Sequence, residues 1–167
     1  MHDDIHEVID KKGVAFLLLI DFSKAFDRVS HFKLLKKLSH QFGFRCEAVS
    51  LIYSYLYSRS QVVDIEGNLS APISILSGVP QGSVLGPLLF SLFINDLPSV
   101  LKVCKIHMFA DDVQLYLCSI DASLEEMVRL MNNDLRNVSL WSSRNLLPIN
   151  PSKTKAMFIS RRQIRTT

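Results

Sequence analysis

Three aspartates stand where strand-like runs end, and any chemistry in this chain would start there. Asp21 closes the run Val14–Ile20, seven apolar residues in succession. Asp111 and Asp112 separate two further strand-like stretches, Val103–Ala110 and Val113–Cys118. A carboxylate is costly to bury unless it is paired or binds a metal. Adjacent carboxylates repel each other, and a divalent cation relieves that repulsion. A sparse set of hard oxygen ligands suits Mg²⁺, which keeps waters and substrate phosphates on its remaining positions. A lone Asp-Asp pair serves equally well as a turn. The third aspartate, ending a different strand, tilts the pattern toward a cation site.

The second chemical feature is the loop Ser77-Gly78-Val79-Pro80-Gln81-Gly82-Ser83. Glycines on either side of Val-Pro-Gln let a backbone approach a ligand closely, while proline stiffens it. Gln81 offers both a donor and an acceptor. Ser83 is placed to cap the helix that follows, whether or not the loop binds anything.

These residues need elements to hold them. Val14–Ile20 reads as a strand buried on both faces. A helical face follows at Phe32, Leu34, Leu35 and Leu38 (His31–Ser39), ended by Gly43. Cys46–Tyr57 reads as a second helix with Val49, Ile52, Tyr53 and Leu56 inward. Gln61–Ile65 and Ala71–Leu76 flank the turn signal Glu66-Gly67-Asn68, which predicts a hairpin. The apolar stretch Val84–Leu97 reads as a helix, and Asp111-Asp112 forms the tip of a second hairpin. Ser123-Leu124-Glu125-Glu126 is a capping box. It opens a long helix whose stripe is Leu124, Met127, Val128, Met131, Leu135, Val138 and Trp141, a core pattern. Ala156–Ile159 is a last strand. Hairpins and helices without strict βαβ alternation predict an α+β fold in a single domain over residues 1–167.

Composition sets outer bounds. Hydrophobic residues make up 48% and charged residues 21% of 167, so the chain is globular. Net charge is only +3, from 19 basic and 16 acidic residues, which alone does not point to nucleic acid. The one local excess, Lys153, Lys155, Arg161, Arg162 and Arg165, reads as a solvated tail if taken alone. Cys46, Cys104 and Cys118 are too sparse for a zinc pattern and argue for reduced thiols in an intracellular compartment, nucleus or cytoplasm. No signal peptide is visible. The apolar runs fall short of the roughly 20 residues that span a bilayer, so no membrane role is expected.

Asp21-Phe22-Ser23-Lys24-Ala25-Phe26-Asp27, the segment Gly78–Phe90 and Phe109-Ala110-Asp111-Asp112 resemble motifs A, B and C of non-LTR (LINE-like) retrotransposon reverse transcriptases. Asn145–Thr154 resembles the motif D that follows them. Order and spacing agree, over nearly the whole chain. RNA-directed RNA polymerases, which share a palm, usually pair Gly with Asp-Asp and lack this Phe-Ala-Asp-Asp and Pro-Gln-Gly-Ser combination.

The resemblance implies a polymerase palm, with a small antiparallel sheet packed against helices and with fingers and thumb truncated. It implies two-metal phosphoryl transfer, adding dNTPs to a primer 3′-hydroxyl on an RNA template. Asp21 and Asp111 would hold two Mg²⁺ ions (Mn²⁺ as a substitute), with the Phe22 carbonyl as a further ligand and Asp112 as a more peripheral carboxylate. Phe26 would sit beneath the incoming sugar and clash with a 2′-hydroxyl; as a residue it serves equally as core. Gln81 and Gly82 would pack on the nucleotide and template. Lys153 would protonate the leaving pyrophosphate, or be an exposed lysine of the basic tail. Asp27 is expected to work locally, in a turn or a pair, and not on a metal. The partners implied are RNA template, DNA primer, dNTPs and further domains of a full-length retroelement protein. Without fingers and thumb, a catalytically inactive retroelement remnant is the competing expectation, with exposed apolar surface at the truncated edges.

Overall fold

The computed structural model describes residues 1–161. Arg162 and Arg165 of the basic tail lie outside them. The order is α1 (His2–Asp10), β1 (Val14–Ile20), a 3₁₀ turn (Phe26–Arg28), α2 (His31–His40) and α3 (Cys46–Leu56). Four short strands follow: β2 (Ser60–Gln61), β3 (Asp64–Ile65), β4 (Asn68–Leu69) and β5 (Ile73–Ser74). Then come α4 (Leu85–Ile94), a 3₁₀ turn (Leu97–Val100), β6 (Lys105–Phe109), β7 (Asp112–Ser119), α5 (Leu124–Asn145) and β8 (Lys155–Ser160). The fold is α+β, and its largest sheet is antiparallel. The chain divides into two compact units, one built from Met1–Ser23 and the chain from Asp96 onward, the other from Lys24–Asn95.

The first unit is a four-stranded sheet in the order β6-β7-β1-β8. β1 lies in the interior, which is why its sequence is a continuous apolar run. Ala15, Phe16, Leu17, Leu18 and Ile20 are all buried, as are Val113, Leu115 and Tyr116 on β7. In α5 the Ser123 hydroxyl accepts from the Glu126 N–H, as the capping box predicts. Its stripe buries Met127, Met131, Val138 and Trp141, each worth roughly 1.5–3 kcal/mol of apolar transfer. α1 has no counterpart in the sequence reading. Its Asp4 carboxylate accepts from the Tyr116 hydroxyl (2.7 Å) and from Lys105 Nζ (2.9 Å). Burial, with help from that bond, pushes the Tyr116 hydroxyl up to about 12.

The second unit packs α2 beside α3 and α4. Phe32, expected inward, is 75% exposed. His31, Leu34, Lys37 and Leu38 take the buried stripe instead, and Phe32 lies about 100° round the helix from His31. Tyr53 is likewise exposed. β2 pairs with β5 and β3 with β4, giving one interrupted hairpin. Positive φ at both Glu66 and Gly67 makes its turn type I′. This hairpin carries Val63, Ile65, Leu69 and Ile73 largely exposed. α4 stops at Ile94, short of the expected Leu97, because Pro98 disfavours α-helical geometry at the residue before it.

Candidate active site

Register points the first aspartate toward the second pair. The β1–β7 ladder ends at Ile20↔Val113, and β6–β7 ends at Phe109↔Asp112. One further step along that register would set Asp21 opposite Asp112, at the end of the same sheet. Residues directly opposite in an antiparallel pair share a face. The β6–β7 turn is the two-residue loop Ala110-Asp111, with positive φ at Ala110 alone, as in a type II′ turn. A left-handed alanine is strained by about 1 kcal/mol or more, and it lies beside the Asp111-Asp112 pair.

The motif D segment closes on the same strand end. The Asn150 N–H donates to the Asp21 carbonyl (2.7 Å), and the Ser23 N–H donates to the Pro148 carbonyl (2.8 Å). These two bonds close the bridge Phe22↔Ile149 without engaging the Phe22 carbonyl. Phe22 itself is buried, its ring 6.2 Å from that of Trp141. Lys153 Nζ stands 4.0 Å from Asp21 Oδ2, an ion pair whose lysine is largely exposed. Asp21 and Asp111 are half-buried and Asp112 is exposed. Among the described residues, no three His, Cys, Asp or Glu side chains form a group that could hold a metal ion. The donors at this strand end are hard oxygens open to solvent. Such a donor set fits a cation that shares its ligands with substrate phosphate and water.

In the second unit, the loop Ser77–Ser83 is fastened to the segment after motif A. The Gly78 N–H donates to the Val29 carbonyl (2.8 Å), and the Val79 N–H to the Phe26 carbonyl (2.9 Å). The Ser77 hydroxyl donates to the Asp27 carbonyl (3.0 Å), and Gln81 Nε2 to Asp27 Oδ1 (2.8 Å). His31, buried, holds the Gly78 carbonyl through Nε2 at 2.6 Å. Gly78 has φ +93°, and a Cβ there would lie 2.8 Å from the Asp27 carbonyl oxygen. Glycine is therefore required on both counts. Ser83 Oγ accepts from the Gly86 N–H (3.1 Å), but the N-cap position of α4 is Val84, which makes no side-chain cap, one residue past the expected Ser83. Phe26 is half-buried, stacked on Phe90 with centroids 4.5 Å apart. Gln81 and Gly82 are exposed.

Two supporting residues carry no sequence signal. Asp134, fully buried on α5, accepts the N–H groups of Lys102 (2.8 Å), Val103 (2.9 Å) and Cys104 (2.7 Å) at the entry to β6. Burial pushes its carboxyl up, but the bonds from Cys104, Val103 and Lys102 outweigh burial and hold it below the ordinary value. Burial, with Asp134 alongside, pushes the Cys104 thiol up to about 12, so this cysteine is inert. All three cysteines are free. His31 is the second such residue; only its place in the fold reveals the bond to Gly78.

An antiparallel sheet with aspartates on adjoining strand ends is the build of a polymerase palm. The family described as reverse transcriptase (RNA-dependent DNA polymerase) matches residues 1–166, and this chain belongs to that family. Over 157 residues it is 34% identical to the probable RNA-directed DNA polymerase from transposon BS of Drosophila melanogaster, covering 90% of this chain and 17% of that protein. Over 100 residues it is 38% identical to the RNA-directed DNA polymerase from mobile element jockey of Drosophila melanogaster, covering 60% and 11%. Both relatives belong to non-LTR retrotransposons. The chain thus spans less than a fifth of the length of either relative. Apo telomerase from Candida tropicalis, truncated from its C-terminal domain, superposes with a TM-score of 0.68 at 13% identity, covering 98% of this chain and 34% of that one. At that identity the likeness shows the fold alone. Reverse transcriptases generally use divalent metals. No helix among the described residues is long and apolar enough to cross a membrane.

Proposed function

We propose that this chain is the palm of an RNA-directed DNA polymerase, extending a DNA primer with dNTPs along an RNA template. The observation that supports this most is the sheet register, in which β1 and β7 pair as far as Ile20↔Val113, the neighbours of Asp21 and Asp112. Family membership over residues 1–166 supports the same reaction.

In this reading Asp21 and Asp111, with the Phe22 carbonyl, hold Mg²⁺, or Mn²⁺ in its place, and Asp112 adds negative charge at the rim. Two bound ions would supply the means to activate the primer 3′-hydroxyl and to stabilise charge on the departing pyrophosphate. The chain's own work is positioning. The β1 and β7 ladders fix the carboxylates, and the Asn145–Thr154 segment fixes the backbone of Asp21–Ser23 against them. Lys153 is the proton donor to the leaving group, and its place 4.0 Å from Asp21 supports that role. In the second unit, Phe26 excludes a 2′-hydroxyl, while Gln81 and Gly82 contact the nucleotide and the template. Template and primer binding draw on further domains of a longer retroelement protein, and residues 1–167 act as one catalytic domain within it.

The test is primer extension on an RNA template with dNTPs and Mg²⁺, comparing the chain with Asp111→Asn, alongside Mn²⁺ binding followed by electron paramagnetic resonance. Extension lost in the variant, with Mn²⁺ bound at least about tenfold more weakly, is the expected result. Equal extension by both proteins would refute the carboxylate assignment. Extension by neither, from folded protein, would favour the inactive remnant.

A further inference from the structure

The motif A aspartate that no metal role claims is Asp27, and it holds Gln81. A carboxylate only accepts hydrogen bonds, so the Asp27 Oδ1 contact at 2.8 Å fixes which end of the Gln81 amide faces it. Nε2 must point to Asp27. The amide carbonyl and the second N–H are thereby turned to the other side. The two residues lie in the wall of a cavity of about 560 Å³, together with Lys24 and Arg59. Those two cations suit an anionic ligand. Lys24 is itself held at φ +50°, a conformation that non-glycine residues rarely adopt.

The backbone around this pair is unusually well tied. Phe26, Asp27 and Val29 each accept a hydrogen bond from Ser77, Gly78 or Val79, and His31 grips the Gly78 carbonyl from within the core. Phe26 and Gln81 are therefore parts of one rigid body rather than two independent loops. In that body the Gln81 side chain is the exposed, multiply rotatable member, and Asp27 is the residue that restrains it.

We propose that Asp27 is a positioning residue for nucleotide selection, which holds the Gln81 amide in one orientation and thereby sets the preference between deoxyribonucleotides and ribonucleotides. The inference rests on the nucleotide-contact reading of Gln81. Asp27 need not touch the nucleotide. Its acceptor oxygen, not its charge, is what positioning requires, so asparagine can substitute by presenting its carbonyl to Nε2.

The experiment is a saturation-transfer NMR titration of the whole chain with dATP and with ATP, in the presence of Mg²⁺. Asp27→Ala, Asp27→Asn, Gln81→Ala and the Asp27→Ala/Gln81→Ala double variant are compared with the unaltered chain. Asp27→Ala is expected to weaken dATP about fivefold while leaving ATP nearly unchanged, as loss of one exposed hydrogen bond allows. Gln81→Ala should weaken dATP at least as much, the double variant should be no worse than Gln81→Ala, and Asp27→Asn should retain the preference. If Asp27→Ala weakens dATP and ATP by the same factor, the residue merely supports the loop and the proposal fails. If Gln81→Ala shifts the preference and Asp27→Ala does not, the proposal fails while the nucleotide-contact reading of Gln81 stands. If the unaltered chain binds neither nucleotide, that reading fails, and the proposal with it.

Discussion

The strand-end aspartates and the Ser77–Ser83 loop are positioned by different physics. β1 is flanked by β7 over seven register pairs and by β8 over six, so Asp21 leaves a ladder that no single side chain controls. The loop has no ladder. It is placed by separate bonds to Phe26, Asp27, Val29 and His31. Ladders fix points in space regardless of sequence detail, whereas individual bonds can be lost one at a time. Charge placement in the first unit should therefore survive most substitutions, and loop geometry in the second should not.

The largest effect sharpens the first half of that contrast. Asp111→Asn should lower primer extension on the order of 10³-fold, the scale of a lost electrostatic group at a reacting centre. Its thermal midpoint should stay within a degree or two of the unaltered chain, because the ladder and not the side chain builds the turn. A large drop in melting temperature would show that the carboxylate is structural and would break the comparison.

Next in size is a place where the first unit relies on a buried side chain. Asp134→Ala leaves three backbone N–H groups without their acceptor and should cost roughly 3 kcal/mol in urea denaturation. The pH dependence has a definite sign. The folded-state carboxyl lies below the ordinary aspartate value of 3.8, so its stabilisation is present above that pH and is lost as pH falls through the folded value. The gap between the unaltered chain and Asp134→Ala should thus be constant near neutrality and narrow below about pH 3.8. A gap independent of pH down to 2 would mean that ionisation of Asp134 contributes nothing.

How far the sequence was legible follows the same division. β1 could be bounded at both ends because an interior strand needs an unbroken apolar run, and α5 at its start because its cap is a local feature. The second hairpin was legible too, but its tip, expected at Asp111-Asp112, falls one residue earlier at Ala110-Asp111, with Asp112 opening β7. α1 escaped notice because its apolar face, Ile5, Val8 and Ile9, is little more than one turn long and buries only Val8. Phe32 was misplaced because hydrophobicity alone could not reveal that His31 would take the buried position in order to hold Gly78. Asp134 looked like any polar residue on an amphipathic helix, since its partners lie about 30 residues away in sequence. Local periodicity reveals ladders and helices; bonds between distant loops leave no periodic trace.

Two glycines of the loop separate contact from conformation, and they carry the smaller effects. Gly78→Ala puts a Cβ 2.8 Å from the Asp27 carbonyl oxygen at φ +93°. It should cost roughly 2–3 kcal/mol by amide hydrogen exchange of α2 and α4, combining left-handed strain with overpacking. Gly82 has φ +77° but nothing within 4 Å of a built Cβ, so Gly82→Ala should cost only about 1 kcal/mol. The difference between the two measures what the tie to Asp27 adds beyond backbone conformation. If the two substitutions cost the same, the loop is held by its own torsional preferences and the separate bonds are incidental. If Gly78→Ala costs more and also accelerates exchange at Gly78–Gly82, the loop is positioned by its contacts, and each contact becomes a separate handle on nucleotide selection.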